Sequence, residues 1–240
     1  MKAQERHHLK QNEFVSSVAT ATSWYRENQG TVVGGVIAIV AVVVLASGYF
    51  WWQNRNQEQA GSLLGVAMTV YQAPIVPPSS VPGATQAAGS YPNEKARAEA
   101  ALAAFQKVAD TYPSSTAGLA ARYHSGEVLL SLGRKDDAQK AYETVIANAG
   151  SAIYGPMARL GLANVMLASG KGDQAIKTFE ELAAQRDGAL PVDGVLMQMA
   201  AAYKEMGKNA EARTAYKRVV DEFPDSPYAQ SARQLMTLLG

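Results

Sequence analysis

The chain has 240 residues, 22 Lys and Arg against 21 Asp and Glu, three His and no Cys, for a formal net charge of +1. After residue 57 the balance is seventeen basic to eighteen acidic side chains, which leaves out the basic surface that nucleic-acid binding needs. Without cysteine there is no thiolate metal site, no cysteine nucleophile and no lipoprotein-type attachment, and this fits an oxidising compartment.

Residues 1–29 read as an amphipathic helical head. Phe14, Val18, Ala21 and Tyr25 make one stripe and Lys2, Arg6 and Lys10 another, so the head either lies on an anionic leaflet or extends the next helix. Residues 30–52 read as a membrane span. Val32 to Phe50 carries no charge; at ~1.5 Å per residue it covers ~28 Å, close to the ~30 Å hydrocarbon core. Trp24, Tyr25, Trp51 and Trp52 flank it as interfacial anchors. A cleaved signal peptide would have a shorter leader and a shorter apolar run. Gly30, Gly34 and Ala38 form a small-residue face on which two spans could pack, although glycine is common in membrane helices anyway. Lys2, Arg6, Lys10 and Arg26 precede the span, and only Arg55 follows before Lys95. The basic side stays cytoplasmic, so the remainder is expected outside it, on the periplasmic face of a bacterial inner membrane.

Residues 53–73 read as an exit segment that doubles as the first helix of the array described next. Residues 74–93 hold five of the ten prolines and are expected to form a mobile loop. From 94 to 224 a fixed interval governs the chain. Phe105, Tyr142, Phe179 and Tyr216 are each 37 residues apart. Ala101, Ala138, Ala175 and Ala212 run four residues ahead of them, and Val108, Val145, Leu182 and Val219 three behind. Gly133, Gly170 and Gly207 keep the same phase. Within each interval apolar residues recur at three and four, the pattern of amphipathic helices. Ser114 or Ser115 can cap the helix that Gly133 stops, and a second helix follows through residues 136–148. Gly126, Ala163 and Ala200 are small enough to let paired helices approach, and the rings fill the gaps between pairs. Units of this kind cannot cover their own apolar faces, so they stack. Residues 225–240 read as a closing helix; Tyr228, Leu235, Met236, Leu238 and Leu239 give it more apolar groups than one face needs.

The order G-x2-L, L-G, A-x3-[FY]-x2-[AVL] and a closing proline (Pro113, Pro224; Gly150 and Asp187 stand there in the other copies) resembles the tetratricopeptide repeat, three residues longer than its usual 34. The fold expected is therefore all-α: a single-pass transmembrane helix, then an α-solenoid of about four helical hairpins and a capping helix. In that family the first helix of each pair lines the concave surface. The resemblance thus implies a groove of Tyr123, Glu127 and Leu130, then Met157, Leu160, Asn164 and Leu167, then Met197, Ala201 and Lys204. The Lys and Asn that grip a terminal carboxylate in some relatives are mostly Tyr, Leu and Met here, so the groove should be apolar, with methionines suited to varied partners. On this reading, charge placed at Tyr123, Leu160 and Met197 should abolish partner capture without unfolding the array.

The short head ending in YRENQG, the span and the exit W-x-x-R-x4-A (Trp52, Arg55, Ala60) resemble the bacterial ancillary Sec-translocon subunit family, the YfgM-like tetratricopeptide proteins. That resemblance implies an inner-membrane protein whose periplasmic part contacts the translocon and periplasmic folding factors, as adaptor or holdase. The alternative is a structural protein whose repeat ends associate head to tail into a homo-oligomeric coat or filament. Neither reading calls for catalysis, a cofactor or a metal. His7 and His8 are adjacent and do not share a helix face, His124 sits in a repeat helix as a structural or exposed residue, and no H-E-x-x-H or phosphate loop occurs.

Overall fold

The computed structural model describes residues 19–78, 85–149, 153–186 and 188–239. Residues 19–27 are helical. Nine longer helices follow among the described residues: α1 (Gln29–Tyr71), α2 (Glu94–Thr111), α3 (Thr116–Ser131), α4 (Lys135–Asn148), α5 (Tyr154–Ala168), α6 (Gly172–Ala183), α7 (Val192–Glu205), α8 (Asn209–Glu222) and α9 (Ala229–Leu238). The one β interaction among those residues is an isolated bridge between Ile75 and Tyr91. Most of the head, including Lys2, Arg6, Lys10, Phe14 and Val18, and the positions Gly150 and Asp187, lie outside the described residues.

The chain divides into two compact units, Met1–Arg55 and Asn56–Gly240. In the first, α1 is the one helix among the described residues long and apolar enough to cross a membrane, with a window of mean hydropathy 2.5 and nothing in that window buried. Trp24, Tyr25, Trp51 and Trp52 are all exposed, and the Arg55 guanidinium lies 5.5 Å from the centre of the Trp51 ring. Gly30, Gly34 and Ala38 are exposed, and a Cβ built on either glycine meets nothing within 4 Å. The helix does not break between residues 52 and 53, where span and exit segment were divided on the sequence.

In the second unit the periodic columns are the core. Phe105, Tyr142, Phe179 and Tyr216 are buried, as are the alanines four residues before and the aliphatics three after. Burying each ring removes an aromatic face from water, worth about 1.5–3 kcal/mol apiece. Successive pairs are α1's end with α2, α3 with α4, α5 with α6, and α7 with α8. Ala60 and Ala67 on the end of α1 are buried, and Tyr71 meets Phe105 edge-on at 5.7 Å. Each ring packs between its own pair and the next. Tyr142 shows how close this is: a Cβ on Gly126 would lie 2.7 Å from its Cε1, and one on Gly161 would lie 2.4 Å from its Cζ. The residue in step with Gly161 one repeat earlier is His124, whose ring stacks on Phe105 at 5.3 Å. A hydroxylated ring thus meets a glycine where a plain phenyl ring meets an imidazole.

The turns inside the pairs are one motif used three times. Gly133, Gly170 and Gly207 have φ of 75°, 77° and 74°. The glycine N–H goes back to Leu130, Leu167 and Lys204, and the next residue's N–H (Arg134, Lys171, Lys208) to Leu129, Met166 and Tyr203. This is the Schellman arrangement, which satisfies the last carbonyls of the first helix and needs a left-handed residue. Ser115 is the cap of α3, its Oγ accepting from the Gly118 N–H at 2.9 Å, and Asn93 caps α2 in the same way through Ala96.

Two local features differ from expectation. The Pro-rich segment is tied at its base: Val76 N–H donates to Tyr91 O at 2.9 Å, Tyr91 N–H to Pro74 O at 3.0 Å, and Gln86 Nε2 to Val76 O at 2.9 Å. Backbone groups that no helix uses find partners across the loop. In the closing helix, Leu235, Met236 and Leu239 pack on the array and only Tyr228 and Leu238 stay exposed. Arg233 and Thr237, both exposed, stand one interval after Leu196 and Ala200, which are wholly buried in α7. Two positions of α9 in step with the buried face of α7 are therefore polar.

Candidate functional site

The repeat register brings nine residues into three columns on the first helices: Tyr123, Leu160 and Met197; Glu127, Asn164 and Ala201; Leu130, Leu167 and Lys204. Their exposure is uneven. Leu130, Leu160, Leu167 and Met197 are half-buried, each with one side on the core, and Met157 shares that state. Asn164 is half-buried, and its Nδ2 donates to Gln198 Oε1 at 3.3 Å across to the next repeat. Ala201 and Lys204 are exposed. Tyr123 is the exception: it is only 8% exposed and belongs to the core, not to a wall that a partner meets. Charge placed there would be buried without a counter-ion, so it would unfold the pair rather than merely block capture.

Tyr123 is buried because α4 and α5 surround it with rings, Tyr142 at 5.7 Å and Tyr154 at 6.2 Å. Its hydroxyl donates to Glu127 Oε1 at 2.9 Å, one helical turn on. The other carboxylate oxygen is 2.7 Å from His124 Nδ1. His124 in turn lies on Phe105 and 6.2 Å from Tyr71. Burial, and after it the Glu127 charge, push the Tyr123 phenol far above its ordinary value. The same two causes raise Tyr142, and raise Tyr71 against the opposing pull of Arg97. No Lys or Arg among the described residues pairs with Glu127. Sequence reading found Tyr123 and Glu127 but not the partnership with His124, Tyr71 and Tyr154. The available signal was an excess of rings in the first two repeats compared with the last two.

Between each first helix and the two second helices flanking it, the fold leaves a furrow that recurs two repeats apart. One, of about 220 Å³, includes Gln106, Ser125, Leu129, Asp137 and Thr144. The other, of about 330 Å³, has Glu180, Met199, Tyr203, Glu211 and Arg218 in step with them. Neither furrow sets a nucleophile beside a base, and the described residues hold no cluster of three His, Cys, Asp or Glu fit for a metal ion.

The model of the tetratricopeptide repeat-like domain family matches residues 22–237, and the chain belongs to that family. Repeat stacks of this kind are protein-interaction scaffolds, presenting an extended face rather than an enclosed pocket. No curated protein matches the sequence. Among solved structures, the nearly identical TPR-like repeats of a Podosopora anserina kinesin light chain superpose with a TM-score of 0.56 at 14% identity, over 76% of this chain and 86% of that one. MamA aligns with a TM-score of 0.45 at 17% identity, over 60% of this chain and 78% of its own. A tetratricopeptide repeat protein from Parabacteroides merdae gives 0.45 at 12%, over 61% and 55%. At these identities the likeness is one of fold.

Proposed function

We propose that this protein is a non-catalytic scaffold anchored in a bacterial inner membrane, its N-terminus cytoplasmic and its repeats periplasmic, working as an adaptor or holdase beside the secretion translocon. The observation that carries the proposal is the first-helix face. Met157, Leu160, Leu167 and Met197 hold one side in the core and leave the other half open, with Asn164 and Ala201 between them and, in the three columns, no charge between Glu127 and Lys204. A face of this composition suits an apolar polypeptide segment with little demand on its sequence. The anchor rests on the apolar stretch of α1 and its exposed aromatic flanks; the topology rests on the basic residues before it. The translocon assignment rests on the likeness of the head and exit to the YfgM-like proteins.

Native co-purification from membranes with mass spectrometry is the direct test. The expected result is a discrete complex containing translocon subunits or folding factors, and long homopolymers would replace this reading with the coat. Ala201→Arg, at an exposed position, is expected to reduce capture with no change in melting. Undiminished capture would show that the partner binds elsewhere. Protease digestion from each side of the membrane checks the topology.

A further inference from the structure

Across the three columns of the first-helix face only two side chains carry charge, Glu127 and Lys204, and they stand two repeats apart. Lys204 is exposed and has no ion pair among the described residues. Glu127 is different. Its side chain is 35% exposed, and its two oxygens meet Tyr123 Oη and His124 Nδ1. Those contacts fix the carboxylate in place but supply no Lys or Arg to neutralise it. A carboxylate has about four lone-pair sites, so further acceptor capacity remains. The charge is felt around it: it contributes to the raised values of Tyr71, Tyr123 and Tyr142.

The surroundings are aromatic. Tyr71 comes from the end of α1, His124 from α3 and Tyr154 from the start of α5, and all three are half-buried, so each presents part of a ring at the surface. Ring faces are negative and attract cations. The basic side chain that acts on Tyr71 is Arg97, which is held by the Ala73 carbonyl at 3.4 Å and meets Glu94 at 3.8 Å. A fixed carboxylate with no Lys or Arg paired to it among the described residues, set among partly open rings from three successive repeats, matches one chemistry.

We propose that Glu127, with Tyr71, His124 and Tyr154 around it, forms a subsite for a basic side chain, a Lys or Arg carried by the apolar segment that binds the first-helix face. The inference deepens the reading of that face and rests on it. It makes the face selective at one end: apolar residues lie along Leu160, Leu167 and Met197, and the cation is seated among rings of repeats 1 to 3. Arg suits the subsite better than Lys, because its planar head lies flat on a ring and its fork reaches a carboxylate at the same time.

The test uses the full-length protein in lipid nanodiscs and two labelled synthetic peptides, each uncharged and apolar apart from one position, which is Arg in the first and its neutral isostere citrulline in the second. The Arg peptide is expected to bind about five- to thirtyfold more tightly at low salt, the range for a partly desolvated ion pair with a cation–ring contact. The preference should shrink at about 0.5 M salt as screening shortens the reach of the charge. Glu127→Gln keeps the shape of the side chain and one acceptor oxygen while removing its charge; it should abolish the preference, so that the Arg and citrulline peptides bind this variant alike. Equal affinities in the unaltered protein would overturn the subsite while keeping the groove. So would a preference that salt does not touch, a measurement that needs no variant to fold, or one that survives Glu127→Gln. Binding of neither peptide would overturn the reading of the face itself.

Discussion

The two halves of the array use one repeat to make two kinds of core. The first cluster gathers Tyr71, Phe105, Tyr123, His124, Tyr142 and Tyr154 around α3, with ring centres 5.2–6.2 Å apart. The second relies on Ile176, Leu182, Leu196 and Met199, with Phe179 and Tyr216 apart from one another. Flat rings with fixed geometry demand matching space, which Gly126 and Gly161 provide. Unbranched and aliphatic side chains adapt to the space they are given. The difference teaches that a shared period fixes where residues stand but not how tolerant the packing is: the first half should be intolerant of change and the second forgiving.

The sharpest way to break this comparison is to delete a ring from each half. Tyr142→Ala and Phe179→Ala are each expected to cost about 3–5 kcal/mol, measured by denaturant unfolding. Because each repeat touches only its neighbours, hydrogen exchange should show the loss confined to the adjacent pairs; protection lost evenly from α2 to α9 would mean that the halves are one cooperative core. A smaller effect separates the halves more cleanly. Gly161→Ala drives a methyl into Tyr142, whereas Gly172→Ala meets only the end of the Met206 side chain, at 2.6 Å from Sδ. The first should destabilise by about 1–3 kcal/mol despite the better helix propensity of alanine, and the second by less than about 1 kcal/mol. Equal melting shifts would refute the contrast in tolerance.

Alkaline titration sharpens the same contrast. Burial and Glu127 raise Tyr123 and Tyr142 strongly above the ordinary 10.0. A phenol whose folded value is raised contributes stability that is present below pH 10 and is lost as pH climbs through and beyond it. Tyrosinate absorbance should therefore lag in the first half, and above pH 10 the α3–α4 pair should open before α7–α8, where Tyr203 and Tyr216 are also raised but less strongly. The smallest effect belongs to the surface of the second half. Glu222 accepts from Arg218 at 2.7 Å and from Arg186 at 2.8 Å, and the Arg218 hydrogen bond is the larger cause that holds it below 4.5. Its contribution exists above pH 4.5 and fades as pH falls below that value. Glu222→Gln should cost less than about 1 kcal/mol at pH 7, since exposed pairs are weak, and nothing measurable at about pH 3.

Much of this was legible in the residues. The ring, alanine and aliphatic columns, the three glycine stops and the Ser115 cap are set by local backbone chemistry or by period, and each lies where the pattern put it. The groove was legible as a register but not as a surface. Tyr123 falls in step with Leu160 and Met197, yet it is enclosed by Tyr142 from α4 and Tyr154 from α5, neighbours contributed by other helices. The Pro-rich segment was read as a mobile loop because no helix period runs through it, whereas the hydrogen bonds at its base join residues ten or more apart.

The sequence by itself determined that this chain is a row of helical pairs with an apolar stretch ahead of them, because a repeat of 37 residues acts through spacing alone and the apolar stretch through length and composition. Only the tertiary structure decided which members of a column are covered, where Glu127 finds Tyr123 and His124, and why Gly161 must be small. Those outcomes depend on what the neighbouring repeat places against each position, and a period read along one chain carries no record of the side chain waiting on the other side.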